Sequence, residues 1–185
     1  MSRSDAERWD ARHAGHPLAV ATRPVALGGP EEGSADDVVP RSGRALDVAC
    51  GLGGQALWCA ERGLDVVALD VSPEAVERTR RATVGRSVDA RVVDLDAGLP
   101  DDLGLFDVVM CQRFRMPSLY ASLVDHTRSG GTLLVTVLSQ SGATDPGPFH
   151  APAGELAEVF ARPDCSIVRH VEGDGEESVV VRVER

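Results

Sequence analysis

Asp47, Asp70 and Asp94 close three successive apolar runs, and the first leads into Asp47-Val-Ala-Cys-Gly51-Leu-Gly53-Gly54-Gln-Ala56. A strand, a glycine turn and a helix start in this order bring bare backbone close to a ligand, with amide hydrogens aimed at it. Gly51-x-Gly53-x-x-Ala56 fits the dinucleotide fingerprint, and Asp70 follows Gly51 by 19 residues, where a ribose-binding carboxylate belongs. By itself this loop suits a dinucleotide, another adenosine ligand or simply a tight turn. Two features separate the ligands. Asp47 stands four residues before Gly51, and a fixed negative charge there opposes a pyrophosphate but suits an ammonium or sulfonium. Asp94, followed by Leu95, supplies a carboxylate for the adenine amine and a backbone amide for the ring.

The elements that must position these residues follow from the alternation of short apolar runs with amphipathic segments, the pattern of a parallel sheet covered by helices. Arg44–Ala49 reads as a strand and 54–62 as a helix stopped by Gly63; 65–70 is the next strand. Ser72, Pro73 and Glu74 supply an N-cap, a first helical proline and a first-turn acid for a helix to about Thr83. Strands are expected at 87–93, 105–111 and 132–138, with only a short crossover between Asp96 and Gly104. Helices are expected at 118–128, stopping before Gly130-Gly131, and at about 154–162. Two β-branched runs, 166–171 and 178–183, flank Glu172-Gly-Asp-Gly175 and predict an antiparallel hairpin. Residues 4–14 look helical, while 15–43 are rich in Pro, Gly and acid. The expected division is therefore 1–43, a helix with a mobile connection acting as a lid, and 44–185, the ligand-binding domain.

Length and composition narrow the chemistry. The chain's 185 residues suit one sizeable core. All 19 basic residues are Arg against 29 acids, for a net charge of −10. Without a lysine there is no Schiff base, no pyridoxal-phosphate anchor and no P-loop or kinase lysine. The acidic balance argues against nucleic acid as a partner. The charged start and the lack of a long apolar stretch argue against a leader or membrane span, so a cytoplasmic protein is expected. Cys50, Cys59, Cys111 and Cys165 form no C-x-x-C pair, and His16, His126 and His170 have no metal-ligand spacing, so no metal is expected.

Leu46-Asp-Val-Ala-Cys-Gly51-Leu-Gly53, Val67-Ala-Leu-Asp70-Val-Ser, Val93-Asp94-Leu-Asp96, Phe106-Asp-Val-Val-Met-Cys111 and Gly130-Gly-Thr-Leu-Leu134 together resemble the successive motifs of class I S-adenosylmethionine-dependent methyltransferases. The resemblance covers about residues 44–138. It implies an α/β, Rossmann-like, mostly parallel seven-stranded sheet of order 3-2-1-4-5-7-6 with the last strand antiparallel and helices on both faces. It also implies S-adenosylmethionine as cofactor and S-adenosylhomocysteine as product. In that likeness Asp47 organises the methionine end, and the backbone of Ala49, Cys50, Gly51 and Gly53 lines the amino-acid moiety. Asp70 holds the ribose hydroxyls, Val71 packs on adenine, and Asp94 and Leu95 read its edge. Cys111 and Gln112 lie beneath the methionine chain.

Arg8-Trp9-Asp-Ala-Arg12-His13 is similar to the Trp-x-x-Arg-Tyr helix that caps the cofactor in small bacterial methyltransferases related to the tellurite-resistance and thiopurine types. Gln112-Arg113-Phe114 and Gly154-Glu-Leu156 add to that likeness. The chain departs from it at His13 for Tyr, at Gly54 for a frequent Arg, and at Val135-Thr-Val137, where relatives often hold Glu.

Methyl transfer is an in-line displacement that needs orientation, exclusion of water and a base only for a poor nucleophile. His13, Arg113 and His150 are the catalytic candidates. The histidines read as bases or as plain surface residues. Arg12 and Arg113 read as anion-binding forks or as solvated helix ends. Trp9 and Phe149 read as an aromatic lid or a hydrophobic staple, Trp58 as core, and Cys50 and Cys111 as small apolar packing. The expected activity is methylation of a small molecule, through a thiol, a chalcogen oxyanion, or a metabolite hydroxyl or amine, by a monomer or homodimer. The alternatives are an NAD-dependent oxidoreductase, a catalytically silent cofactor-binding module, and methylation of a macromolecule through a partner subunit.

Overall fold

The computed structural model describes residues 3–13, 15–28 and 38–185. Its elements in chain order are α1 (Arg3–His13), β1 (Arg44–Val48), α2 (Gly54–Glu61), β2 (Asp65–Asp70), α3 (Pro73–Ala82), β3 (Val88–Val92), β4 (Phe106–Gln112), α4 (Tyr120–Asp125), β5 (Thr127–Leu138), α5 (Glu155–Val159), β6 (Cys165–Gly173) and β7 (Glu176–Val183). The seven strands form one sheet of order β3-β2-β1-β4-β5-β7-β6. This is the expected architecture. No helix among the described residues is long and apolar enough to cross a membrane. The chain divides into two compact units, residues 1–23 with 40–106, and residues 24–39 with 107–185.

In the first unit β1, β2 and β3 run parallel, with Leu46 opposite Val67 and Ala68 opposite Ala90. β1 and β2 are buried almost without interruption, which is why 66–69 of β2 is a continuous apolar run and β1 is apolar apart from Arg44 and the buried Asp47. α2 and α3 pack against this sheet. Ser72 Oγ accepts the Ala75 amide at 3.0 Å, Pro73 occupies the first helical position, and Glu74 pairs with Arg78 and Glu77 with Arg81 one turn on. The crossover after β3 shrinks to a 3-10 turn, Leu95–Ala97. Arg44 fixes the chain that follows, donating to Leu103 O and Leu105 O with its guanidinium 4.4 Å from the Phe106 ring centre.

In the second unit β7 runs antiparallel to both β5 and β6. Asp174 and Gly175 both have positive φ, +52° and +81°, the backbone that a tight two-residue hairpin demands and that Asp-Gly supplies. Ala26, Leu27 and Val39 are buried, with the turn Val25–Leu27 lying against β5, β6 and β7.

Three elements differ from expectation at a boundary. The helix expected over 118–128 splits into a 3-10 turn and α4, ending at Asp125, and β5 begins at Thr127. The Gly130-Gly131 stop signal thus lies inside a strand. Arg128 bonds both oxygens of Asp107 at 2.8 and 3.0 Å. A Cβ on Gly131 would lie 2.8 Å from Arg128 O, so the glycine serves close backbone packing. α5 ends at Val159, before Arg162, because the residue preceding Pro163 is steered away from helical backbone.

Candidate active site

The glycine turn is built by the strand end it leaves. Cys50 N donates to Leu69 O at 2.9 Å, extending the β1–β2 ladder by one step. The chain then turns back, with Ala49 and Gly51 at φ +57° and +53° and Gly53 N donating to Cys50 O. Gly53, at φ +83°, has Thr79 Cγ2 only 2.6 Å from where a Cβ would be. Glycine is therefore required there on both steric and torsional grounds. Thr79 also donates its hydroxyl to Gly51 O at 3.1 Å. At Gly54 a side chain would collide with Thr22 Oγ1 at 2.8 Å, so this position too favours glycine.

Asp70 sits at the centre of this arrangement. Its Oδ2 accepts the Gly51 amide and its Oδ1 the Ser72 amide, both at 2.9 Å. Each carboxylate oxygen has a second lone pair, and those are available to a diol. Val71, next in sequence, is buried, as is Leu95, while Asp94 is exposed and accepts the Asp96 amide at 3.0 Å.

Asp47 is 1% exposed, and its Oδ2 is a buried oxygen without a hydrogen-bond partner among the described residues. Burial, and then the charge of Asp70, push its pKa up to about 7, against a hydrogen bond from the Ala56 amide that pulls it down. A buried oxygen left unpaired is costly unless a ligand meets it. A cationic group satisfies it; a pyrophosphate adds to its cost. Cys50, buried beside the same two carboxylates, has a thiol held well above its usual range, the environment of an unreactive structural cysteine.

α1 joins this cluster through side chains. Trp9 stacks on His13 with ring centres 5.8 Å apart and 20° between planes, and the Arg12 guanidinium carbon lies 5.4 Å from the Trp9 ring centre. Burial lowers the His13 pKa, with Asp70 pulling in the opposite direction, so the imidazole is neutral near pH 7 and able to accept a proton. Asp10, which sequence reasoning passed over, accepts from Ser72 Oγ and from the Glu74 amide. Trp58 is half-buried under Arg62, with the guanidinium carbon 4.8 Å from its ring centre, and so is not the core residue expected.

The remaining candidates belong to the second unit. Gln112 is engaged at both ends of its amide, donating to Leu134 O and accepting from Thr136 Oγ1 at 3.1 Å each. Cys111 is buried, its thiol pointing to Phe114 O at 3.4 Å. Arg113 has φ +56°, donates its amide to Thr136 O and pairs its exposed guanidinium with Glu176. His150 Nδ1 accepts the Gly147 amide at 2.9 Å, which places its proton on Nε2 when neutral.

Two further clusters lie in this unit, the first around the Glu155 of Gly154-Glu-Leu156 and the second without a sequence signature. Glu155, first residue of α5, accepts from Arg115 Nε at 2.9 Å and from Tyr120 Oη at 2.8 Å. Burial and this bond hold the phenol above its usual range, so Tyr120 is a donor and not a base. Glu177 is fully buried and accepts the Leu156 and Ala157 amides and faces His170 Nε2, all at 3.0 Å. Glu172, opposite it on β6, accepts from Ser139 Oγ and Gly154 N. The ligand atoms of His170, Glu172 and Glu177 lie within 4.8 Å of one another, and the two carboxylates already hold the start of α5 through its backbone amides.

The sheet order and the glycine turn with its paired carboxylates define a class I methyltransferase fold. Residues 45–131 match a family described as a methyltransferase domain. A ubiquinone biosynthesis O-methyltransferase of Xanthomonas axonopodis pv. citri is 30% identical over 142 residues, covering 73% of this chain and 57% of that protein. The chain thus spans little more than half the length of the curated relatives it matches. The crystal structure of TehB from Haemophilus influenzae superposes with a TM-score of 0.68 at 19% identity, over 81% of this chain and 60% of that one. The magnesium protoporphyrin IX methyltransferase ChlM from Synechocystis PCC 6803, with bound SAM, gives 0.61 at 17% identity, over 82% and 74%.

Proposed function

We propose that this chain transfers a methyl group from S-adenosylmethionine to a small-molecule acceptor. The observation that carries the reading is the unpartnered, fully buried Asp47 Oδ2 beside a glycine turn pinned to Asp70. That arrangement suits a cationic adenosine and disfavours the NAD alternative. Bound there, the cofactor supplies an electrophilic methyl on a sulfonium.

Asp47 orients the charged methionine end, with backbone from Ala49, Cys50, Gly51 and Gly53 around the amino-acid group. Asp70 accepts from the ribose hydroxyls, and Val71, Asp94 and Leu95 recognise adenine. Trp9 and Arg12 on α1 cover the cofactor. His13, held neutral, is the base available to a hydroxyl or thiol acceptor; His150, with Nδ1 engaged by the Gly147 amide and its proton on Nε2, serves as a hydrogen-bond donor instead. Arg113 gives up its Glu176 partner if it binds an anionic acceptor. The printed functions of the relatives, methylation in ubiquinone biosynthesis and of a protoporphyrin, support a small-molecule acceptor. We place the protein in the cytoplasm as a monomer or homodimer, working without a metal.

The test is transfer of labelled methyl from S-adenosylmethionine to a panel of phenols, thiols, selenite or tellurite, and amines. Saturable turnover with one class establishes the reaction. Tight cofactor binding with no turnover on any member points to the silent binding module instead.

A further inference from the structure

We infer that Asp10 is a positioning residue that couples the seating of α1 to the ribose-binding carboxylate Asp70, and so sets how long the cofactor is retained. The inference rests on the cofactor reading above. Asp10 Oδ1 takes the hydroxyl hydrogen of Ser72 and, at 3.2 Å, the amide hydrogen of Glu74. Ser72 Oγ uses its lone pair for the Ala75 amide, and Ser72 N donates to Asp70 Oδ1, whose other oxygen holds the Gly51 amide. One unbroken chain of hydrogen bonds therefore runs from α1 through the start of α3 and Asp70 into the glycine turn.

The chemistry of each link requires the next. Ser72 caps α3 as an acceptor, which leaves its hydroxyl hydrogen to be donated, and Asp10 is the acceptor that receives it. The carboxylate also meets a second orphan amide at the positive end of α3. α1, for its part, needs this contact. At 11 residues it is below the length at which an isolated helix holds together in water. Its side chains from 7 to 13 include one large apolar group, Trp9, which stacks within α1 on His13 and Arg12, so docking leans on the Asp10 contacts with the start of α3. Losing Asp10 releases the same helix that carries Trp9, Arg12 and His13, the last of which senses the charge of Asp70.

Trp9 and Trp58 are the only tryptophans, so Trp58→Phe leaves Trp9 as the sole reporter of α1. In that full-length background, acrylamide quenching of Trp9 without ligand, the dissociation rate of S-adenosylhomocysteine and the thermal midpoint are compared for Asp10, Asp10→Ala and Asp10→Asn. Asp10→Ala is expected to raise quenching and to speed dissociation roughly tenfold, about 1.4 kcal/mol. Asp10→Asn keeps a capping oxygen and is expected to stay within about twofold of the parent. A change in thermal midpoint alone, with unchanged quenching and dissociation, makes Asp10 merely structural and overturns the inference. Raised quenching with unchanged dissociation overturns the coupling to the cofactor. A parent protein that binds neither S-adenosylmethionine nor its product overturns the cofactor reading and the retention claim together, while the quenching series still decides whether Asp10 seats α1.

Discussion

Asp70 Oδ2 accepts the Gly51 amide hydrogen at 2.9 Å, so the carboxylate at the end of β2 and the turn at the end of β1 are one rigid piece before any ligand arrives. Preorganisation of this kind lowers the ordering cost of binding. Asp70→Ala removes both this link and the acceptor for a ribose diol. S-adenosylhomocysteine affinity measured by calorimetry is expected to fall by about 1–3 kcal/mol. An unchanged affinity removes Asp70 from the site.

Asp47 is expected to make cofactor binding pH-dependent. Its folded pKa of about 7 lies above the ordinary 3.8, so the ligand-free fold binds the extra proton. Its contribution to stability is therefore present at low pH and is lost as pH rises towards 7. A cationic ligand reverses the preference by favouring the carboxylate. Cofactor affinity and ligand-induced thermal stabilisation should both increase from pH 6 to 8, with a proton released on binding. Calorimetry in buffers of different ionisation enthalpy measures that proton, and Asp47→Asn should abolish its release.

Gly53 and Gly51 both have positive φ, yet their substitutions should differ. Gly53→Ala meets Thr79 at 2.6 Å, whereas Gly51→Ala meets nothing within 4 Å. The second carries only the torsional cost, about 1 kcal/mol, and the first adds overpacking of about 1–3 kcal/mol. Thermal or urea unfolding of the two variants gives the comparison, and equal losses would refute it.

Glu177 is a buried carboxyl group satisfied by two amides of α5 and by His170. Glu177→Ala strands these donors and is expected to destabilise the protein by about 3–5 kcal/mol. Glu172→Ala, on the partly exposed partner residue, should cost less. Urea midpoints at pH 7 rank the two.

What the sequence revealed is what is local. The continuous apolar run at 66–69, the Ser72-Pro73-Glu74 start of α3 and the Asp174-Gly175 turn each carry their own backbone logic, and the structure follows them. The glycine turn was legible for the same reason. Asp10 was not, because its partners are 62 and 64 residues away and no periodicity marks a single polar contact between helices. Glu177 was hidden likewise, since only the α5 amides make a buried carboxylate tolerable there. Gly130-Gly131 misled because a helix stop and a tightly packed strand call for the same residue.

The central claim is that the Asp47–Gly51–Asp70 cluster holds a cationic adenosine. Titration calorimetry of the intact chain with S-adenosylhomocysteine and NAD in parallel tests it most directly. Saturable one-to-one binding of S-adenosylhomocysteine with no detectable NAD binding is the expected result. Tight binding of NAD with none of S-adenosylhomocysteine would contradict it.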